Sequence, residues 1–148
     1  MSVSDFELES HAAVKEVPAK DTPPDLLSKP VVYVVEDEPV AAEAIAMTIK
    51  TMGIEPLVFH NPAWFWDSFV AQYPRAKLLV TDYLMSPFNG LELIQRCKQI
   101  EPGLKTILYS GYVDEGIMAS AVVKPDKFLL KPVKINVLIE TVRNLLGD

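Results

Sequence analysis

Four groups of residues, far apart in the sequence, have side chains suited to binding a cation and an anion side by side. Each follows an apolar run typical of a buried strand, and the groups are Glu36-Asp37-Glu38, Asp82, Ser110 and Lys131. Carboxylates placed together raise one another's proton affinity unless a cation intervenes. Hard oxygen ligands of this kind suit Mg²⁺, while a lysine and a hydroxyl suit an anion beside it. Together they are what phosphoryl transfer to a carboxylate requires.

An alternation of strand and helix patterns predicts that these groups meet. Apolar runs predict strands over residues 31–35, 57–60, 78–80, 106–110 and 128–130. Helical spacing predicts intervening helices that begin near Pro39, Asn61, Gly90, Asp114 and Ile135. The fourth helix pattern is the weakest and is cut off by Pro125. The order (βα)5 predicts an α/β fold, a doubly wound five-stranded parallel sheet whose strand ends share one ligand-binding edge.

Composition narrows the classes of protein that this chain could represent. Its 148 residues are 49% hydrophobic and carry a net charge of −6, which predicts one acidic domain with a real core and no direct nucleic-acid partner. The single cysteine, Cys97, excludes a disulfide framework and a zinc site of paired thiolates. No apolar run approaches the roughly 20 residues that a membrane span needs.

The N-terminal segment differs from the remainder of the chain. Residues 1–29 are acidic, contain Pro18, Pro23 and Pro24, and have few apolar residues, which predicts a flexible tail before a domain over residues 30–148. Asp5 and Glu7 stand where a signal peptide would carry lysines, and we therefore expect a cytoplasmic protein.

The chain resembles the receiver domain of two-component response regulators. The segments that carry the resemblance are 34–39 (VVEDEP), 79–85 (LVTDYLM) with Gly90 eight residues after Asp82, 109–111 (YSG) and 128–132 (FLLKP). The resemblance extends over about residues 30–146. It implies the flavodoxin-like receiver fold.

The resemblance also implies a phosphoacceptor and a metal site. Asp82 is similar in position to the aspartate that receives the phosphoryl group. Asp37, Asp82 and the backbone carbonyl of Leu84 would bind Mg²⁺, and Glu36 would contribute through a water molecule.

The remaining implied roles concern the phosphoryl group and the response to it. Lys131 would pair with the phosphoryl oxygens, and the Lys131–Pro132 bond is expected to be cis. Ser110 is similar to the switch hydroxyl that moves to the phosphate, and Phe128 to the aromatic residue that turns inward behind it. This motion would repack the face formed by the fourth helix, the fifth strand and the fifth helix.

Three features depart from the pattern of the family. Glu36 stands where many receivers have aspartate, Ser86-Pro87 replaces the more usual proline directly after Met85, and the fourth helix is poorly patterned. Because the phosphorylation residues are all present, a receiver that is not phosphorylated is the less favoured interpretation.

The resulting hypothesis is a stand-alone response regulator that is phosphorylated by a sensor histidine kinase or a phosphotransfer protein and signals through protein contacts. It would be no enzyme beyond its own phosphorylation and dephosphorylation. The alternative is a phosphorylation-independent adaptor that uses the fold to dock or to form a homodimer. An aspartyl phosphohydrolase is disfavoured because Leu84 replaces its second aspartate, and a flavin carrier because Glu36-Asp37-Glu38 would repel the flavin phosphate.

Overall fold

The computed structural model describes residues 30–71, 76–112 and 114–147. Five strands alternate with five helices along these residues: β1 (Val31–Val35), α1 (Pro39–Lys50), β2 (Glu55–Phe59), α2 (Pro62–Val70), β3 (Leu78–Asp82), α3 (Gly90–Ile100), β4 (Lys105–Ser110), α4 (Glu115–Ser120), β5 (Lys127–Leu130) and α5 (Ile135–Leu146). The prediction of a flexible tail over residues 1–29 lies outside the described residues.

The strands form one sheet in the order β2-β1-β3-β4-β5, and every neighbouring pair is parallel. The (βα)5 prediction of a doubly wound parallel sheet is therefore confirmed. Because β3 lies in the middle, Asp82 at its end is flanked by β1 and β4. All five strands end at the same edge, as parallel pairing requires.

Two apolar clusters hold helices against the two faces of the sheet. On one face, α2 and α3 contribute side chains that are at most 1% exposed: Phe65, Phe69, Leu93, Ile94 and Cys97. On the opposite face, α1 and α5 contribute Ile45, Ile49, Leu138 and Val142. Strand β1 supplies both faces in alternation, with Val32 and Val34 in the second cluster and Tyr33 and Val35 in the first.

Polar side chains define where most of the helices begin. Glu38, Asn61 and Asp114 accept backbone N–H hydrogen bonds at the starts of α1, α2 and α4. Asn89 and Glu92 form a reciprocal capping box at the start of α3. Glu38, which follows β1 but is not part of the predicted metal site, thus serves as a helix cap.

Strands β4 and β5 each begin one residue before their predicted bounds, and β2 and α4 differ by more. Strand β2 begins two residues earlier than predicted, at Glu55, and includes Pro56. An edge strand tolerates this proline, which has no N–H to donate, because only one side of the strand pairs with a neighbour. Helix α4 ends at Ser120, well before Pro125, and has no buried residue. Ala121 caps the helix and the β-branched pair Val122-Val123 follows, and without buried residues in α4 nothing prolongs the helix.

None of the helices in the described part of the chain is both long enough and apolar enough to cross a lipid bilayer.

Candidate functional site

The predicted site residues lie together at the carboxyl edge of the sheet. Glu36 directly follows β1, Asp82 and Ser110 are the last residues of β3 and β4, and Lys131 directly follows β5. Glu36, Asp82 and Ser110 are buried, with exposures of 0%, 5% and 3%, whereas Asp37 is exposed. The site is therefore a set of buried carboxylates that opens to solvent on the Asp37 side.

Three carboxylates form the acidic part of the site. Glu36, Asp37 and Asp82 each present one oxygen such that the three oxygens lie within 4.8 Å of one another. The ammonium of Lys131 lies 3.1 Å from Oδ1 of Asp82 and 3.9 Å from Oε1 of Glu36. One positive charge thus stands against three negative charges, which leaves the site suited to a further cation.

The carboxylate of Glu36 is held by the protein at both of its oxygens. Oε1 accepts a hydrogen bond of 2.6 Å from the hydroxyl of Tyr109, and Oε2 accepts one of 3.0 Å from the backbone N–H of Glu38. Burial raises the pKa of Glu36, an effect that these hydrogen bonds oppose and the charge of Asp82 reinforces. Burial, together with Glu36, also raises the pKa of Tyr109 well above its ordinary value, so this hydroxyl remains a donor.

Lys131 is fixed by its backbone as well as by its charge. The Lys131–Pro132 bond is cis, as predicted. The backbone N–H of Lys131 donates to the carbonyl of Ser110 at 2.7 Å, and its ammonium lies 5.2 Å from the ring centroid of Tyr109. Both the backbone and the side chain of Lys131 therefore contact the end of β4.

The loop after β3 depends on a glycine at the start of α3. The N–H of Gly90 donates to the carbonyl of Tyr83 at 2.8 Å, and a Cβ at position 90 would collide with the carbonyl of Asp82 and the side chain of Leu108. Within the same loop the Ser86–Pro87 bond is cis, and the side chain of Leu84 is 65% exposed. The close approach at Gly90 therefore holds the start of α3 against the backbone of Asp82.

Ser110 and Phe128 meet at a small pocket beside α4. The pocket is also lined by Leu108 of β4 and by Ile117 and Met118 of α4. Phe128 is half-buried and Ser110 is almost fully buried. The two residues predicted to respond together thus line the same small pocket as α4.

The donors present fit Mg²⁺. The three side chains offer carboxylate oxygens, and the exposure of Asp37 leaves the open side that a partly hydrated Mg²⁺ needs.

Two side chains in this region, Tyr109 and Glu38, make contacts that were not predicted. Tyr109 belongs to the predicted fourth strand and to the segment 109–111 (YSG), but its hydrogen bond to Glu36 was not predicted, although a glutamate in place of aspartate at position 36 was an available signal. The capping role of Glu38 was not predicted, although a proline directly after it is typical of a helix start.

Residues 32–143 match the family model of the response regulator receiver domain, and the chain belongs to this family. A solved response regulator receiver protein from Pseudomonas putida is 32% identical, with a TM-score of 0.70 over 79% of this chain and 98% of its own. One from Sinorhizobium medicae has a TM-score of 0.73 at 22% identity, over 82% and 97% of the two chains, which supports the fold.

Curated relatives agree with this assignment. The response regulator receiver protein CpdR of Brucella abortus is 24% identical over 116 residues, which are 78% of this chain and 95% of CpdR. The DNA-binding transcriptional regulator NtrC of Azospirillum brasilense is 27% identical over 126 residues, which are 82% of this chain. The match spans only 25% of the length of NtrC. The chain is therefore a receiver domain of two-component signalling.

Proposed function

We propose that this domain accepts a phosphoryl group on Asp82 from the phosphohistidine of a sensor histidine kinase or a phosphotransfer protein. The observation that carries the proposal is the contact of 3.1 Å between the Lys131 ammonium and Asp82. Attack by a carboxylate oxygen of Asp82 forms the O–P bond of an acyl phosphate. The P–N bond of the donor breaks, and its electron pair remains on the imidazole nitrogen.

Mg²⁺ is the cofactor of this proposal. Asp37, Asp82 and the backbone carbonyl of Leu84 would hold it, and Glu36 would act through a bound water. When bound, the cation neutralises negative charge on the phosphoryl oxygens. The two hydrogen bonds to the oxygens of Glu36 support this indirect role, because both oxygens already have protein partners.

The chain's own residues supply the remaining steps. The ammonium of Lys131 pairs with the phosphoryl oxygens, which bring about −1.5 to −2 charges into the site. Ser110 turns its hydroxyl to the phosphate, and Phe128 moves into the space that Ser110 leaves. The shared pocket beside α4 supports this pair of movements. On this proposal the domain catalyses only its own phosphorylation and dephosphorylation.

The signal would leave through the α4–β5–α5 face. This face carries five exposed apolar side chains, whose exposures range from 37% to 85%: Ile117, Val122, Leu130, Ile135 and Val137. Apolar groups in this number at one surface favour a protein partner or a second copy of the chain. Because the face adjoins Phe128, a change at the phosphorylation site would reach it directly.

The decisive experiment is the intact mass after incubation with acetyl phosphate and Mg²⁺. We expect one added phosphoryl group on the wild type and on the control Asp67→Asn, which alters an exposed carboxylate on α2, and none on Asp82→Asn. Equal addition to Asp82→Asn, or none to the wild type, contradicts the proposal. The latter result would favour a phosphorylation-independent adaptor.

A further inference from the structure

Tyr109 connects three strands at the edge of the sheet. It is the penultimate residue of β4, is 2% exposed and stands opposite Asp82 in the parallel register of β3 and β4. From there its side chain passes β3, and its hydroxyl donates to Glu36 after β1 at 2.6 Å, across 73 positions of sequence. A tyrosine is long enough for this reach.

The contact matters because Glu36 has more freedom than a shorter aspartate would have. Its Oε1 accepts from Tyr109 and lies 3.9 Å from Lys131, while Oε2 accepts from the backbone of Glu38. Without the tyrosine hydroxyl, Oε1 keeps only the longer contact with Lys131. The carboxylate would then be drawn toward that ammonium, which Asp82 also needs.

The aromatic ring of Tyr109 contributes a second restraint. The Lys131 ammonium lies 5.2 Å from the ring centroid, within the range of a cation–π contact. One buried side chain therefore contacts both the carboxylate that borders the metal site and the lysine that borders the anion site.

We propose that Tyr109 is a positioning residue for the divalent cation site, where its hydroxyl holds Glu36 in the orientation that supports a hydrated cation beside Asp37 and Asp82. This inference rests on the proposed function, because it takes that cation to be Mg²⁺. Residues that orient ligands through hydrogen bonds typically change metal affinity about 10- to 100-fold when they are replaced. Because Glu36 acts through water, we expect the low end of this range.

The test is Mg²⁺ affinity, measured by calorimetry on the unphosphorylated protein. Tyr109→Phe keeps the ring and removes the hydroxyl, and we expect about tenfold weaker Mg²⁺ binding. The matched control is Tyr33→Phe, which makes the same change at a residue that is 1% exposed and belongs to the opposite apolar cluster. The control is expected to bind Mg²⁺ within about twofold of wild type.

A double-mutant cycle separates positioning from a general loss of structure. In a Glu36→Gln background there is no carboxylate to orient, so Tyr109→Phe should weaken Mg²⁺ binding no further. A tenfold loss in both backgrounds, or unchanged affinity in Tyr109→Phe, overturns the inference while the mass experiment on Asp82 still decides the proposed function. A wild type that binds no Mg²⁺ overturns both.

Discussion

The strands that carry the site residues differ in burial. Every residue of β1 and β3 is buried, and these strands position Glu36 and Asp82. No residue of β5, which positions Lys131, is buried. The contrast continues into the helices. Helix α2 buries Phe65 and Phe69 against β1, while α4 has six residues and buries none. We call these two regions the carboxylate side (β1, β3 and α1–α3) and the β5 side (α4 and β5).

The difference shows how one small sheet serves two needs. A cation site needs fixed ligands, and the carboxylate side supplies them at the ends of strands that are buried along their whole length in a closely packed core. A response to phosphorylation needs a region of low local stability, and few buried contacts are its physical basis. If this division is correct, the same substitution should have very different effects on the two sides.

The largest difference is expected for removal of an aromatic ring. Phe65 is fully buried, with ring centroids 5.1 Å from Tyr33 and 5.2 Å from Phe59, and Phe65→Ala should cost about 3–5 kcal/mol of unfolding free energy. Phe128→Ala, on the half-buried ring of β5, should cost less than half as much. Urea denaturation measures both, and equal costs would remove the proposed contrast.

A smaller difference is expected for a single added methyl group. Gly90→Ala places a Cβ against the carbonyl of Asp82 and should cost about 1–3 kcal/mol. The control Gly116→Ala, in α4, meets no atom closer than Asp114 Oδ1 at 3.5 Å and should gain up to about 1 kcal/mol from helix propensity. Thermal unfolding should therefore shift in opposite directions, and a loss at Gly116 would show that α4 is packed more tightly than described.

The smallest expected effect concerns the polar contacts that hold the start of β5. Asp126 Oδ2 accepts hydrogen bonds from Lys98 Nζ at 3.0 Å and from the N–H of Thr106 at 2.8 Å. Asp126→Asn should cost about 1 kcal/mol at neutral pH, because the accepted bonds lose their charge assistance.

The pH dependence of this effect has a definite sign. Burial acts to raise the pKa of Asp126, but the hydrogen bonds from Lys98 and Thr106 outweigh it and the net shift is downward. The stabilisation is thus complete above the ordinary aspartate pKa of about 3.9 and is lost as the pH falls through the lower folded value. The difference in unfolding free energy between wild type and Asp126→Asn, measured by urea denaturation, should shrink in that acid range. A difference that does not change with pH would show that packing, and not the charge of Asp126, causes the effect.

Much of the site follows from local sequence signals. Strand runs such as Val31–Val35 and the positions of Asp82 and Lys131 after their strands determine which residues reach the edge, because parallel strands share one direction. The direction of the strands alone determines these backbone positions, whatever conformation the side chains adopt.

The remaining features depend on tertiary contacts that have no local signature. The hydrogen bond from Tyr109 to Glu36 joins residues on strands that are not adjacent, and it exists only once β3 lies between them. The early end of α4 likewise reflects the lack of a buried face, which no pattern of caps determines. Sequence therefore identified the edge, and packing decided how its side chains are oriented.

Because Cys97 is buried, its reaction with a thiol reagent can report the separation of α3 from the sheet. Cys97 is the single cysteine of the sequence, lies on the inner side of α3 and is 0% exposed. A thiol reagent added in excess can react only when α3 separates from the sheet, so the labelling rate measures how often the carboxylate side opens. With no engineered probe, a change of that rate on phosphorylation or cation binding would tell whether either event stabilises the core or leaves it untouched.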